Sequence, residues 1–430
     1  MFLTKQKTAL IFACCFWSYC SIWHPQQVKG QELLDAYSQF GLGSAVNGNF
    51  ARFRGAEALE QANIDSLGFS LNNPASLANL RLTSFETGMR MQFLNQSMGE
   101  QSLATETYNF NYLSLAFPVF KRVNWAAAIG FAPEYQQDFR TLSAGEGINI
   151  MQGGEGGLTA FYLSQGIGVH PNLSIGVKTS FLFGNYERFQ TQEYTGEGAG
   201  ELLGLRSTRD EYLSGFAFDL GLQYQKSLKN EKIISAGLNV RLPYELEGRH
   251  NSADLSFFRF GDILGISDSI NFESESRQRY TMPISVNFGI NLMKYRSWKY
   301  GLQIGYEDWE TFNSSGRYAG VSYARGISIG LGAEIVPDYR SRENYFNRVK
   351  YRFGTKYAEL PFSINGEQPQ SYSLTYGMGF PLGKTISMLD IAAEMGLLGY
   401  NQSGLTEQTF LNVVIGFRFN DKWFQQRQYD

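Results

Sequence analysis

The stretch from Tyr280 to Leu292, YTMPISVNFGINL, alternates large apolar side chains with small or polar ones. The apolar set is Tyr280, Met282, Ile284, Val286, Phe288, Ile290 and Leu292; the other is Thr281, Ser285, Asn287, Gly289 and Asn291. Only a period of two, that of a β-strand, separates these sets onto opposite faces. A small, polar second face suits a water-facing lumen better than the dry core of a sandwich. The stretch therefore predicts a strand of a transmembrane β-barrel whose apolar face meets lipid.

Fourteen such runs recur along the chain, and the connectors between them alternate short and long. They lie near 84–94, 107–118, 123–133, 158–169, 172–184, 211–225, 233–245, 279–293, 298–307, 326–336, 349–358, 371–381, 387–398 and 407–420. Single-chain bacterial barrels have an even number of antiparallel strands and short periplasmic turns. The sequence thus predicts an all-β fold, a 14-stranded antiparallel transmembrane β-barrel over 84–420. One connector, Asp338 to Arg348, is long where a short turn is expected, which indicates a small periplasmic element.

The N-terminus indicates an exported protein. Lys5 and Lys7 precede an apolar stretch from Thr8 to Trp23, and small residues near Gly30 supply a cleavage site. We therefore expect 1–30 to be a signal peptide, with a single membrane anchor as the alternative. Residues 421–430 follow the last predicted strand and are expected to form a periplasmic tail. The expected location is the outer membrane of a Gram-negative cell.

Composition argues against several chemistries. All three cysteines, Cys14, Cys15 and Cys20, lie in the predicted signal, so the mature chain offers neither a thiol nucleophile nor a cysteine-based metal site. Removing the signal leaves 34 of the 37 basic residues against 40 acidic ones, which disfavours nucleic acid as a partner. Only His170 and His250 remain beyond the signal, one in a predicted turn and one in a predicted loop. We expect no metal and no cofactor.

One catalytic motif occurs by chance. Gly326-Ile327-Ser328-Ile329-Gly330 matches the G-x-S-x-G pattern of serine hydrolases, whose serine sits on a sharp strand-to-helix turn. Here the motif lies inside a predicted strand, and alternation alone explains it. The chain is not expected to be an enzyme.

Charged residues of both signs occupy predicted lumen positions. They are Glu86, Arg90, Lys178, Asp219, Arg241, Glu307, Glu334, Lys350, Arg352, Lys356, Asp390, Glu394 and Arg418. A selectivity filter for ions uses one sign, so the mixture favours internal ion pairs. A polar permeation path is the alternative.

Residues 31–83 precede the first run and do not share its alternation. A barrel of about eight strands is already filled by wall side chains, so a fourteen-stranded lumen needs additional filling. We expect 31–83 to fold into that lumen as a hatch, or plug, with a free periplasmic tail as the alternative. The segment contains Asn73-Pro74-Ala75. This motif, the strand number and the chain length together resemble the FadL/TodX family of outer-membrane channels for hydrophobic compounds.

The resemblance carries expectations about function. Family members capture apolar ligands at extracellular loops, pass them to a pocket above the hatch, and release them at a kink in the third strand. Asn73, Pro74 and Ala75 would then hold the hatch, and Pro133 would mark the kink. The predicted loop from Gly248 to Ser276 would capture the ligand through its large apolar residues, although packing between loops is an alternative role for them. The ligand-binding candidates are Phe257, Phe258, Phe260, Ile263 and Leu264.

Two functions remain open. The first is passive uptake of hydrophobic small molecules such as long-chain fatty acids, with membrane lipids as neighbours. The second is a non-transporting accessory or structural subunit of an outer-membrane secretion or assembly machine, with an envelope protein as partner; PorV-type subunits resemble FadL in fold and serve type IX secretion. A continuous apolar pocket between the 257–266 region and the hatch would favour the first, and a lumen without apolar residues the second.

Overall fold

A closed antiparallel β-barrel forms the body of the protein. The computed structural model describes residues 35–46, 49–98, 101–145, 147–195, 203–260, 263–312, 320–383, 386–400 and 404–422. Within these ranges fourteen wall strands, β1 to β14, pair with their sequence neighbours, and β14 pairs with β1 to close the barrel. The predicted fold class is therefore confirmed. The predicted signal, 1–30, and the tail after Lys422 lie outside the described residues.

The wall strands agree closely with the fourteen predicted runs. They are β1 (Thr83–Met98), β2 (Gln101–Phe120), β3 (Trp125–Gly145), β4 (Ile148–His170), β5 (Leu173–Tyr194), β6 (Gly204–Ser227), β7 (Lys232–Arg241 and Tyr244–Phe260), β8 (Ile263–Met282 and Ser285–Lys294), β9 (Trp298–Asp308), β10 (Arg325–Ile335), β11 (Lys350–Glu359), β12 (Gln370–Pro381), β13 (Met388–Leu398) and β14 (Glu407–Asp421). Two-residue and three-residue strands lie at Ser44–Ala45, Val321–Tyr323 and Phe362–Ile364. Short helical turns lie at Ala36–Gln39, Ala51–Arg54, Glu57–Leu59, Pro74–Asn79, Lys121–Val123, Trp309–Thr311 and Tyr345–Arg348.

The wall is taller on one side than on the other. β4 and β6 have 23 and 24 residues, whereas β9 and β11 have 11 and 10. About 9 to 11 tilted residues cross the hydrocarbon region. The strands β3 to β8 therefore continue past the membrane as a twisted sheet at the end opposite the short turns. Within the described ranges, no helix is long and apolar enough to cross a membrane.

The predicted lipid face is correct in most strands but changes side within the run that predicted the barrel. Phe288, Ile290 and Leu292 are exposed on the outer wall, as expected, whereas Tyr280 and Met282 are buried inside. The strand is interrupted at Pro283, which has no backbone N–H to donate to the ladder. The alternation shifts by one residue there, so Ile284 lies at the break and not on a regular lipid-facing strand.

The predicted loop from Gly248 to Ser276 is wrong. β7 and β8 continue through it and pair as far as Phe260 opposite Ile263. Past the membrane this hairpin has no lipid-facing side, and its exposed residues mix charged side chains with Ile266, Ile270 and Phe272, so the hydrophobic period that marks the other strands is weak. The expected element in the connector between β10 and β11 is present as the helical turn Tyr345–Arg348.

Candidate functional site

Residues 35–80, here called the N-terminal segment, lie against the lumen face of the wall. Four ion pairs join the segment to β1, β11, β13 and β14. They are Arg52–Glu86, Lys356–Glu57 at 2.9 Å, Arg54–Glu394 at 3.4 Å and Arg418–Asp65 at 3.1 Å. All eight side chains are mostly buried. Loss of one partner would leave a buried charge without compensation, which is strongly destabilising.

Glycines on the lumen face let the segment approach the wall closely. Gly176 on β5 lies opposite Gly166 on β4 and Gly221 on β6, and all three contact the backbone or ring of Pro74. A Cβ atom at any of these positions would overlap Pro74 or its neighbours. The sequence pattern indicated that lumen glycines face water. At this level they face the N-terminal segment instead.

The Asn73-Pro74-Ala75 motif is fully buried at this contact. The Asn73 side chain accepts a hydrogen bond from the Ala75 N–H at 3.1 Å and so caps the helical turn Pro74–Asn79. Its amide nitrogen donates to the Gln61 carbonyl oxygen at 2.7 Å and to the Leu222 carbonyl oxygen on β6 at 3.3 Å. One side chain thus joins two parts of the segment to the wall.

The wall is incomplete between β2 and β3. Their ladder ends at Leu113 opposite Phe131, and within the described residues β3 has no ladder partner on β2 beyond that point. A bulge follows at once, because Pro133 pairs with Thr159 while Tyr135 pairs with Leu158. We call this gap, from Ala132 to Asp138 on the β3 side, the seam.

The beginning of the N-terminal segment covers the seam. Residues 35–46, here called the strap, run beside the free edge of β3, with Ser44 opposite Gln136 and Ala45 opposite Tyr135. The Val46 N–H donates to the Glu134 carbonyl oxygen at 2.9 Å, and the Asp35 N–H donates to the Asp138 carbonyl oxygen at 2.7 Å. The strap therefore replaces β2 as the neighbour of β3.

A cavity of about 400 Å³ lies behind the strap and reaches the seam. Ala132, Pro133 and Tyr135 line it, so the sequence-predicted kink residue borders the cavity. Aromatic side chains form one side of the lining. They include Tyr37, Phe40, Tyr135, Trp309, Tyr323 and Phe362.

The other side of the cavity is ionic, and its cations are already paired. Arg241 contacts Glu134 at 2.9 Å and Asp219 at 3.0 Å, and Lys178 contacts Asp219 at 3.2 Å. Lys356 and Arg54, the remaining lining cations, hold the Glu57 and Glu394 carboxylates described above. Further carboxylates of Asp35, Glu307 and Glu359 also line the space. Among the described lining residues, every cation therefore has a carboxylate partner, and carboxylates are in excess.

The structure does not bring the predicted ligand-binding phenylalanines to this cavity. Phe257 is 3% exposed and packs on Gly204, whereas Phe258 is 43% exposed and covers Gly265. Neither lines the cavity. The side chains of Phe260, Ile263 and Leu264 lie outside the described part of the chain. A continuous apolar pocket between the 257–266 region and the segment would have favoured uptake over the accessory role; the lining of this cavity mixes aromatic and ionic groups.

Sequence reasoning missed the strap and the aromatic side of the cavity. Phe40, Trp309, Tyr323 and Phe362 come from four separate places in the chain and share no motif. The one local signal was their position outside the predicted strands, where large aromatics need a packing partner. In the described part of the chain, no group of three or more His, Asp or Glu side chains is arranged to hold a metal ion.

Solved structures of similar fold are outer-membrane channels. The CymD monoaromatic hydrocarbon channel is 14% identical, with a TM-score of 0.55, and the match covers 88% of this chain and 99% of that one. The FadL homologue of Pseudomonas aeruginosa is 12% identical, with a TM-score of 0.56 and coverage of 86% and 97%. The toluene transporter TbuX of Ralstonia pickettii is 14% identical, with a TM-score of 0.51 and coverage of 81% and 92%.

The fold and the arrangement of the lumen define an outer-membrane β-barrel of the FadL-like class. A family model described as BamG matches residues 7–430, and the chain belongs to that family. No curated protein matches the chain in sequence.

Proposed function

We propose that the protein is an outer-membrane channel for small hydrophobic molecules, with the seam as its lateral exit and the strap as its closure. One observation carries this proposal: the cavity borders the wall at the only part of β3 that is held by the strap in place of β2, within the described residues. A molecule leaving the cavity there would pass directly into the lipid. The names of the similar structures, a hydrocarbon channel and a toluene transporter, support the same class of cargo.

The N-terminal segment acts as the hatch in this proposal. Its buried ion pairs and the Asn73 hydrogen bonds fix residues 49–80 to the wall. The strap forms no buried ion pair among the described residues; it is held by backbone hydrogen bonds to the edge of β3, by side-chain hydrogen bonds such as that from the Tyr186 hydroxyl to the Leu42 carbonyl oxygen, and by burial of Tyr37 and Phe40. A strand edge can release a short partner without breaking buried charge pairs. Opening is therefore expected to move the strap and leave the rest of the segment in place.

The cavity suits uncharged cargo better than fatty-acid anions. A bound carboxylate would face Asp35, Glu307 and Glu359 and would find the four lining cations already paired. Burial of a charge without a partner costs several kcal/mol. An aromatic hydrocarbon needs no such partner and can stack on the aromatic side of the lining, which includes Tyr135 and Trp309.

Uptake by intact cells tests both parts of the proposal. In a deletion strain carrying the wild-type gene or an empty vector, we expect the gene to accelerate uptake of radiolabelled toluene at limiting concentration, and to leave uptake of benzoate unchanged. Benzoate keeps the ring and adds the carboxylate, so it is a matched control. Equal toluene uptake with and without the gene would refute the channel; equal acceleration of both compounds would refute the preference for uncharged cargo.

A second function, that of an accessory subunit in an envelope machine, is favoured by the tall side of the wall. The strand β9 ends at Asp308, and the segment Ile263–Met282 of β8 continues past that level. There it pairs with β7 on one side and has no wall strand on the other among the described residues. Ile266, Ile270 and Phe272 are more than 60% exposed along it. Replacing these three residues with Ser should leave toluene uptake intact under the channel proposal. Failure of another outer-membrane protein to assemble in that variant would instead support the accessory role.

A further inference from the structure

The short-turn end of the barrel carries a compact group of arginines. We call residues 295–297, between β8 and β9, and residues 336–349, between β10 and β11, the rim patch. The Val336 N–H donates to the Ser297 carbonyl oxygen at 2.7 Å, which joins the two connectors. The Tyr345 hydroxyl donates to the Pro381 carbonyl oxygen at 2.9 Å and fixes the patch to the end of β12.

Aromatic rings hold the guanidinium groups of the patch in place. Arg296 lies 5.0 Å from the centre of the Tyr339 ring, and Arg340 lies 5.1 Å from the centre of the same ring. The two guanidinium groups are therefore within about 10 Å of each other. Arg348 stacks on Tyr345 at 5.2 Å, and its Nε atom is buried without a hydrogen-bond partner.

Asp338 and Glu343 are the acidic residues of the rim patch, and its four arginines leave it with a net positive charge. Within the described residues, none of Arg296, Arg340, Arg342 and Arg348 forms an ion pair, and Asp338 accepts its hydrogen bond from the backbone N–H of Arg340 at 2.9 Å. Cations held this close repel one another unless an anion is shared between them. The planar guanidinium group matches the geometry of a phosphate.

The position of the patch selects the source of the phosphate. Tyr295 and Phe346 are 55% and 63% exposed beside the arginines, and exposed aromatics at strand ends are typical of the level of lipid headgroups. Across the whole short-turn end, exposed cations outnumber exposed acids by ten to four among the described residues, whereas at the opposite end acids outnumber cations by eleven to six. The patch thus adds to a positive end that faces the periplasmic leaflet.

We propose that the rim patch binds the headgroup of an anionic phospholipid in the periplasmic leaflet of the outer membrane. Arg296 and Arg340 hold the phosphate, Arg342 adds charge, and Tyr295 and Phe346 lie among the upper acyl carbons. This site is separate from the cavity and does not depend on the proposed transport function.

Native mass spectrometry of the full-length protein in detergent tests the site. Phosphatidylglycerol and phosphatidylcholine with identical acyl chains are titrated into wild type, into the patch variant Arg296→Gln/Arg340→Gln/Arg342→Gln, and into the control Arg249→Gln/Arg277→Gln/Arg279→Gln. The control removes three exposed arginines from the opposite end. Heat-modifiable migration on gels verifies that each variant is folded.

Wild type and control should prefer phosphatidylglycerol, and the patch variant should lose about tenfold or more of that affinity, because each basic residue at a membrane surface adds to anionic lipid binding. In wild type the preference should also weaken at high salt, which tests the site even if the patch variant does not fold. Equal loss in the patch variant and control, a preference insensitive to salt, or full displacement of the lipid by inorganic phosphate would overturn the proposal.

Discussion

Two contacts between neighbouring wall strands, here called joints, differ in a way that the order of the strands in the chain does not explain: the closing joint between β14 and β1, and the seam between β2 and β3. β14 and β1 are far apart in sequence, yet their ladder runs without a register shift from Glu407 opposite Ser97 to Asp421 opposite Thr83. β2 and β3 are consecutive strands joined by a tight turn, yet their ladder stops at Leu113 opposite Phe131. The strands joined by a tight turn, β2 and β3, are therefore the ones that separate, whereas the strands from opposite ends of the barrel sequence stay paired.

The contrast shows what each joint is built for. The closing joint is backed by buried charges, because Arg418 on β14 lies opposite Glu86 on β1 and contacts Asp65 of the N-terminal segment. The seam has the bulge after Pro133 and is covered by the strap through backbone hydrogen bonds. A closed barrel has no free edge. At the seam the protein keeps such an edge in its wall and covers it with its own chain.

The largest effect is expected at the closing joint. Arg418→Met would leave the Asp65 carboxylate buried without its partner, at a cost of about 3 to 5 kcal/mol. We expect little folded barrel in the outer membrane, measured as the heat-modifiable band of unboiled samples. Glu134→Gln at the seam is the matched control, since Arg241 keeps Asp219 as a partner. Comparable loss of folded protein in both variants would remove the distinction between the joints.

A slightly smaller effect tests the wall that both joints share. Ile290→Arg places a charge on the exposed outer face of β8, which costs about 2 to 4 kcal/mol near the middle of the membrane. Its insertion should fail or slow in a vesicle-folding assay. Met282→Leu, at a buried position before the break at Pro283, should insert normally. Normal insertion of Ile290→Arg would contradict the assigned facing of this strand.

The stability of the folded N-terminal segment is expected to depend on pH. Burial, reinforced by the Glu57 carboxylate, raises the pKa of Glu60 from 4.5 to about 7, with Ser70 and Asn72 as its hydrogen-bond donors. A carboxyl group whose pKa is raised in the folded state stabilises the fold at pH values below its pKa in the unfolded chain. That contribution is lost as the pH rises through about 7. The free energy of unfolding should therefore be lower above pH 7 than below pH 4 by on the order of 3 kcal/mol.

Hydrogen exchange over residues 50–80 measures this dependence. Protection in wild type should be greater at about pH 5 than at about pH 8. Glu60→Gln, which is neutral throughout, should flatten the profile. An unchanged profile in that variant would assign the pH dependence to another group.

The smallest effect is expected at the strap. Val46→Pro removes the N–H that donates to the Glu134 carbonyl oxygen, a loss of about 1 kcal/mol, and should increase toluene uptake without changing the amount of folded barrel. Val46→Ala keeps the N–H and should behave as wild type. Equal uptake by the proline variant and wild type would show that the strap does not control uptake.

The sequence predicted the wall well because a period of two governs every strand that has lipid on one side. It also predicted that lumen charges pair, as Lys178–Asp219 and Arg352–Asp390 do. It failed where that physical contrast disappears. The extension of β7 and β8 lies past the membrane, where neither face contacts lipid, so its sequence lacks the regular alternation and predicts a loop. The one-residue shift in β8 occurs at the break at Pro283.

The functional roles of Asn73 and Pro133 stay predictions. The structure places the Asn73 side chain in contact with β6 and Pro133 beside the bulge in β3. Pairing of Ser44 with Gln136 could not be foreseen, because a two-residue strand has no periodicity. The meeting of Phe40, Trp309 and Tyr323 at one cavity is equally a product of the folded barrel.

The central claim is that the seam opens when the strap leaves the edge of β3. Ser44→Cys combined with Gln136→Cys joins two residues that lie opposite each other in that pairing. Oxidation should abolish toluene uptake, and a reductant should restore it. The pair Ala333→Cys/Phe353→Cys, opposite each other on β10 and β11, should leave uptake unchanged in both states. Full uptake through the oxidised Ser44–Gln136 cross-link would contradict the account.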